Sequence, residues 1–184
     1  MIKSFKLFEN KIDINKRIVL TGSPGTGKSS IVDKLEELGY NVIQESARYL
    51  IEYYQKYEPE HLPWNDRDYF QKAVENKSID NFNRNKSGFF DRSIVDEIGF
   101  RTFYKSTIPK DLTNRCLEYR YNKVFIFRPW EKIFKNDSVR TETFQQTIDL
   151  DKCIIDGYKD FGYNPIDVIK GSIEDRVKFI LENI

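Results

Sequence analysis

Three features of the 184-residue sequence predict an α/β architecture of three layers, a parallel sheet of about five strands with helices on both faces. Short β-branched or aromatic runs alternate with longer stretches of helical apolar spacing, the order that sets parallel strands between crossover helices. The first such run ends in a glycine-rich turn at residues 22–27, and an amphipathic stretch follows at once. No repeat, low-complexity tract or Gly/Ser/Pro-rich linker interrupts the chain, so residues 1–184 read as one domain, long enough to bury a sizeable core.

The elements follow in order. "RIVLT" (17–21) is β-branched and apolar, a buried strand. Residues 29–38 carry helical apolar spacing and stop at Gly39, a residue suited to the left-handed turn that closes a helix. "YNVIQE" (40–45) is a second short strand and residues 46–57 a second helix, broken by the polar, proline-bearing loop "EPEHLPWN". A third helix spans 66–82, with apolar residues at 69, 70, 73, 74, 79 and 82. "GFFD" (88–91) is a strand opened by the turn "NKSG", and 93–103 has helical spacing. "KVFIF" (123–127) is the clearest strand; 142–161 is a long helix, 167–170 a last strand and 172–183 a closing helix.

Composition narrows the function classes. Lys plus Arg number 30 against 29 Asp plus Glu, a net charge of +1, which argues against a generally basic binder of polymeric nucleic acid and against a polybasic membrane anchor. No apolar run approaches bilayer length and no apolar segment follows Lys3 and Lys6, so neither membrane insertion nor a leader is expected. Cys116 and Cys153 are isolated, as reduced structural thiols of a cytoplasmic protein would be. The lone His61 has no second imidazole near it and reads as a surface histidine.

"GSPGTGKS" (22–29) fits G-x-x-x-x-G-K-[ST]. Its glycines let successive backbone N–H groups converge on phosphate oxygens, and the helix that starts near Lys28 adds its positive end. Gly22, Ser23, Gly25, Thr26, Gly27, Lys28, Ser29 and Ser30 are the expected nucleotide-binding set, with Lys28 on the β- and γ-phosphates and the Ser29 hydroxyl on Mg²⁺. A strand before the motif and a helix after it supply the context that makes the signature specific.

Such a loop works with an acid at the end of another strand. "KVFIF" ends in Arg128 and cannot supply it. Two registers compete for the acid: "GFFD" ending in Asp91, or "SIV" (93–95) ending in Asp96-Glu97, with Glu97 then placed to activate water. The helical spacing of 93–103 and the turn before Phe89 favour Asp91 as the metal-side acid. Glu45 closes the second predicted strand, where side chains enter the ligand crevice of an open α/β sheet. It reads as a base for, or an orienter of, an acceptor hydroxyl, or more plainly as an acid at a helix N-terminus. Arg48, one turn on, and Arg92, beside Asp91, stand with it on the acceptor side. After "KVFIF" the segment 128–143 carries Arg128, Lys132, Lys135 and Arg140, a basic lid-like segment over the phosphates or a solvated face. Arg140 is the first choice for a catalytic phosphate contact there, and Arg128 the second.

"GSPGTGKSS", "QESAR", "FFDRS" and "NDSVRTETFQQTIDL…YKDFGY…SIEDRVKFIL" together resemble the small AAA-type ATPase domain family shared by NadR-like and Ttd14-like proteins, from Ile18 to Leu181. The resemblance implies the P-loop NTPase fold of nucleoside and nucleotide kinases. NadR-like relatives include a nicotinamide riboside kinase domain, and Ttd14-like relatives are GTP-binding. Asp91-Arg92-Ser93 is similar to the acid-Arg-Ser element of deoxynucleoside kinases, and "YFQ" (69–71) resembles the helix from which those kinases offer a Gln to a nucleobase. By that resemblance Gln71 and Trp64 are candidate acceptor-site residues. The sequence contains no counterpart of the adenylyltransferase domain of bifunctional NadR proteins, so that activity is not implied. The Asn-Lys-x-Asp guanine reader is missing too: "NKVF" has Phe125 and "NKSG" has Gly88 where Asp belongs. ATP with Mg²⁺ is therefore the preferred donor and GTP the alternative. The expected activity is γ-phosphoryl transfer to a small nucleoside- or nucleotide-like acceptor. The competing reading is an ATPase or GTPase switch acting on a protein partner. An aromatic second cavity built from "EYYQKYEPEHLPWNDRDYF" would favour the kinase.

Overall fold

The computed structural model describes residues 13–134 and 143–184. Five strands form one parallel sheet: β1 (Arg17–Thr21), β2 (Val42–Ile43), β3 (Gly88–Asp91), β4 (Lys123–Ile126) and β5 (Ile166–Asp167), in the order β2-β3-β1-β4-β5. Seven α-helices flank it among the described residues: α1 (Lys28–Glu37), α2 (Ser46–Tyr57), α3 (Arg67–Arg84), α4 (Asp96–Phe103), α5 (Lys110–Glu118), α6 (Phe144–Asp160) and α7 (Ile173–Glu182). Among the described residues no helix is long and apolar enough to cross a membrane.

Strand β1 sits at the centre, and the period-two alternation of its side chains feeds both cores. Ile18 and Leu20 pack with Ile31, Leu35, Phe125, Val177 and Ile180 under α1 and α7. Val19 packs on the opposite face with Phe90, Ile94, Leu150, Ile154 and Tyr158, under α4 and α6. Helix α4 approaches α6 closely because position 99 is glycine: a Cβ there would lie 2.6 Å from the Ile154 Cα. A third, smaller cluster of Leu50, Tyr54, Leu62, Phe70 and Val74 joins α2 to α3. Helix ends are fixed locally: Asp66 caps α3, and Thr143 with Gln146 and Ser172 with Asp175 form reciprocal capping boxes at α6 and α7.

Register positions the site. Leu20 pairs Asp91 and Thr21 pairs Ile126, so β1 delivers its glycine-rich turn beside the end of β3. Helix α1 runs Lys28–Glu37, one residue ahead of the predicted 29–38. The strand predicted at 40–45 shrinks to β2, and the one predicted at 167–170 becomes β5, which starts one residue earlier at Ile166 and shares only Asp167 with it. Both are edge strands, which pair on one side only, so their flanking residues carry no ladder. Helix α5 lies where the sequence reading placed no element; only Leu112 and Cys116, one turn apart, are buried in it, too narrow a stripe to stand out. Of the basic segment 128–143, residues 128–134 and Thr143 are described, with a single 3₁₀ turn at Glu131–Ile133; Lys135 and Arg140 lie outside the described residues.

Candidate active site

The phosphate loop is built by local sequence. Gly22 has φ +142°, and a Cβ there would lie 2.4 Å from the Phe127 carbonyl oxygen, so only glycine lets the chain leave β1 at this angle. From the far side Arg176 on α7 donates Nη2 to the Thr26 carbonyl at 2.9 Å and lies over the Phe127 ring, bracing the loop from behind. Ser23 Oγ is buried and has no partner. Lys28 opens α1, buried, and its Nζ donates to Asp91 Oδ1 at the end of β3. Burial pushes the Asp91 carboxyl above its ordinary value, more than the Lys28 ammonium draws it down.

The next residue, Arg92, is a non-glycine at φ +69°, a left-handed conformation that costs about 1–2 kcal/mol and persists where the surroundings fix it. Its backbone N–H donates to the Leu20 carbonyl at 3.0 Å. Its guanidinium donates Nε to Glu45 Oε1 at 2.7 Å and Nη1 to Asp96 Oδ1 at 3.2 Å. Glu45 precedes α2. Burial alone would raise its carboxyl, but Arg92, Lys28 and Arg48 outweigh that and hold it at about 2. Arg48 in turn donates Nη2 to Ser29 Oγ at 3.4 Å. Two acids and three cations thus share one surface.

Of these, Lys28, Glu45, Arg48 and Arg92 line a cleft of about 910 Å³, while Asp91 is buried against Lys28 and does not line it. One wall is the phosphate loop from Ser23 to Ser30; the other is Glu45, Arg92 and the face of α2 that carries Ala47, Arg48, Ile51, Glu52 and Gln55. The residues fit a polyphosphate: a loop too tight for a Cβ at Gly22, an orphaned Ser23 hydroxyl, a helix N-terminus and Lys28 all converge here. Among the described residues no group of three or more His, Cys, Asp or Glu would hold a metal ion alone. A divalent cation at this site would take Ser29 Oγ and Asp91 together with phosphate oxygens and water, as Mg²⁺ does in phosphoryl-transfer sites.

Several expected site residues lie elsewhere. Arg128 pairs with Asp151 at 3.3 Å and approaches Asp167 at 4.0 Å, so its charge is engaged on α6 and β5. Burial pushes Asp151 up to about 6, against Arg128 and the Ser23 backbone N–H that it accepts. Trp64 is 60 % exposed and does not line the cleft. Gln71 is buried on α3 with Oε1 unpartnered. The aromatic second cavity does not form as expected: His61 stacks on Tyr69 at 3.7 Å and Tyr54 meets Phe70 edge-on, so these rings pack on one another. The α2 wall of the cleft is aliphatic and polar because the helix turns Leu50 and Tyr54 inward and Ile51, Glu52 and Gln55 toward the loop.

What the sequence does not show is the setting of Asp96. It is not a strand-end acid: it opens α4, fully buried among donors from β1, the β3–α4 turn and α6. A second buried charge cluster lies between α3 and α4, where Arg101 donates to Glu75 at 2.8 Å and burial, with Asp96 and Glu75 nearby, raises Glu97 to about 8.

Solved structures share the fold. Deoxyadenosine kinase from M. mycoides with bound dATP superposes at TM-score 0.60 and 16% identity, over 91% of this chain and 98% of that one. The YorR protein of Bacillus subtilis, in complex with phosphorylated GDP, gives 0.60 at 14% identity, over 91% and 94%. Thymidylate kinase from Candida albicans gives 0.60 at 16% identity, over 92% and 91%. No curated protein matches the chain. A family model described as an AAA domain matches residues 17–176, from the first residue of β1 to the arginine that braces the phosphate loop. With the central strand, the loop and the Asp91-Arg92 turn all inside that span, the chain belongs to the AAA domain family and shares its P-loop fold with the solved structures above.

Proposed function

We propose that the protein is a phosphotransferase that moves the γ-phosphoryl of ATP to a hydroxyl of a small nucleoside- or nucleotide-like acceptor. The observation that carries this reading is the Glu45–Arg92 pair, set with Lys28 on a cleft that runs past the phosphate loop along α2, the buried Asp91 holding Lys28 from within. A hydrolase that admits water needs no such extension. Lys28 would bind the terminal phosphates, and Ser29 with Asp91 would hold Mg²⁺, which would supply positive charge against the phosphate oxygens. Arg92 and Arg48 offset negative charge at the transferring group. Glu45, held ionised at about 2 and engaged by Arg92, is a weak base at neutral pH; its role is to accept a hydrogen bond from the acceptor hydroxyl and aim it in line. The loose transition state of phosphoryl transfer draws most of its acceleration from such positioning. The solved kinases named above support the class of reaction through the shared fold, and the free Cys116 and Cys153 fit a reducing, cytoplasmic setting.

The test is a transfer screen with ATP or GTP as donor against a panel of nucleosides, nucleosides with a cationic ring such as nicotinamide riboside, and nucleoside monophosphates. Phosphorylated product from one class of acceptor, lost in Glu45→Gln while ATP affinity holds, supports the assignment. ADP formation at one rate with every acceptor and with none would replace it by a nucleotide switch.

A further inference from the structure

Asp96 stands apart from the two acids of the proposed mechanism. It is 1% exposed, and each of its four lone-pair positions is taken. Oδ1 accepts from the Thr21 hydroxyl and from Arg92 Nη1 at 3.2 Å; Oδ2 accepts from the Ser93 backbone N–H at 2.8 Å and from the Tyr158 hydroxyl at 2.5 Å. Tyr158 is itself fully buried and meets Ser93 Oγ at 2.7 Å, and Ser93 Oγ accepts from the Val95 N–H at 3.1 Å. These donors come from three places: the last residue of β1 before the phosphate loop, the turn after β3, and the last turn of α6. A carboxylate so held cannot rotate without orphaning at least two buried donors. Arg92 has the opposite character. It is a long side chain on a strained left-handed turn, bridging Asp96 on one side and Glu45 on the other.

We propose that Asp96 is a positioning residue: fixed by Thr21, Ser93 and Tyr158, it sets the direction of the Arg92 guanidinium and, through it, of the Glu45 carboxylate at the cleft. This rests on the reading that Glu45 and Arg92 serve phosphoryl transfer. The three-point anchor also makes the acid–arginine pair sense the seating of α6 against β1, because Tyr158 reaches Asp96 from that helix.

Tyr158→Phe removes one donor from Asp96 while leaving its charge and its salt bridge. It is expected to lower kcat for transfer about tenfold, the lower end of what a hydrogen bond to a charged group is worth, with KM for ATP changed less than about threefold. In a Glu45→Gln background the same change is expected to cost less than about twofold, because the carboxylate through which it acts is gone. Thr21→Val, which removes a second donor to the same carboxylate, is expected to show the same pattern and replaces Tyr158→Phe if that variant fails to fold. An equal loss in both backgrounds, or a rise in KM with kcat unchanged, overturns the proposal. A readout free of activity separates this from the parent reading: the Arg92 Nε–H resonance, assigned by its disappearance in Arg92→Lys, is expected to shift and to exchange faster with water in Tyr158→Phe. An unmoved resonance refutes the positioning role even if transfer is confirmed. A moved resonance in a protein that transfers to no acceptor upholds the geometry and refutes only the assigned reaction.

Discussion

Replacing Glu45 by Gln removes one charge from the cluster that the whole site is arranged around. The carboxylate is 19% exposed, and its pKa falls from the ordinary 4.5 to about 2, because Arg92, Lys28 and Arg48 overcome the burial that opposes ionisation. At about 1.4 kcal/mol per pKa unit, that displacement corresponds to roughly 3 kcal/mol of folding free energy tied to the ionised group. The variant keeps an acceptor oxygen and Arg92 keeps Asp96, so the expected loss at pH 7 is about 1–2 kcal/mol, less than the roughly 3–5 kcal/mol of a fully buried pair cut on one side. A folded pKa below the unfolded one means that this stability is complete above pH 4.5 and disappears as pH falls toward 2. Urea unfolding of both proteins should therefore show a constant gap from pH 7 to about 5 that closes at lower pH. In transfer assays the variant should lose roughly 10- to 100-fold in kcat with ATP affinity within about threefold, the pattern of lost orientation. Equal stability at pH 7, or turnover equal to wild type with every acceptor, would refute the reasoning.

Three further outcomes follow from individual contacts. Lys28→Ala should abolish nucleotide turnover and weaken ATP binding by at least about tenfold in titration calorimetry, since it removes the cation paired with Asp91 Oδ1 as well as the proposed phosphate contact. Gly22→Ala should cost more than about 2 kcal/mol in thermal unfolding and displace the phosphate loop, because its Cβ would stand 2.4 Å from the Phe127 carbonyl oxygen at a φ of +142°; unchanged ATP affinity and melting temperature would contradict the loop geometry. Glu97, raised from 4.5 to about 8 by burial and by Asp96 and Glu75, binds its proton more tightly folded than unfolded. Its presence therefore lowers stability as pH rises from 4.5 to 8, and Glu97→Gln should be the more stable protein at pH 8, by about 1–3 kcal/mol. A variant less stable than wild type at that pH would show Glu97 held ionised instead.

What the sequence made legible was what neighbouring residues decide. The β1–loop–α1 unit was readable because strand, glycines and helix start follow one another, and Asp91 could be separated from Asp96 because a turn precedes Phe89 and helical spacing follows Ser93. The acid–arginine pair was half legible: Glu45 and Arg92 were each placed at the cleft by strand ends, but their bond across 47 positions was not. Contacts made only in three dimensions stayed hidden. Asp96 meets Tyr158 across 62 residues, Arg176 meets Thr26 across 150, and Arg128, whose position after β4 pointed to phosphate, is drawn to Asp151 by a buried carboxylate on another helix. The aromatic loop misled for a related reason. Ring content shows that apolar surface must be covered, and here the rings cover one another rather than wall a cavity.

The central claim is that the γ-phosphoryl is handed to an organic hydroxyl and not to water. Turnover of ATP in ¹⁸O-enriched water, with the best acceptor of the panel and with products read by mass spectrometry, tests it directly. The expected result is one phosphorylated acceptor per ADP, with no ¹⁸O in the transferred group. Inorganic phosphate carrying one ¹⁸O per ADP, formed at the same rate whether or not an acceptor is present, would contradict it.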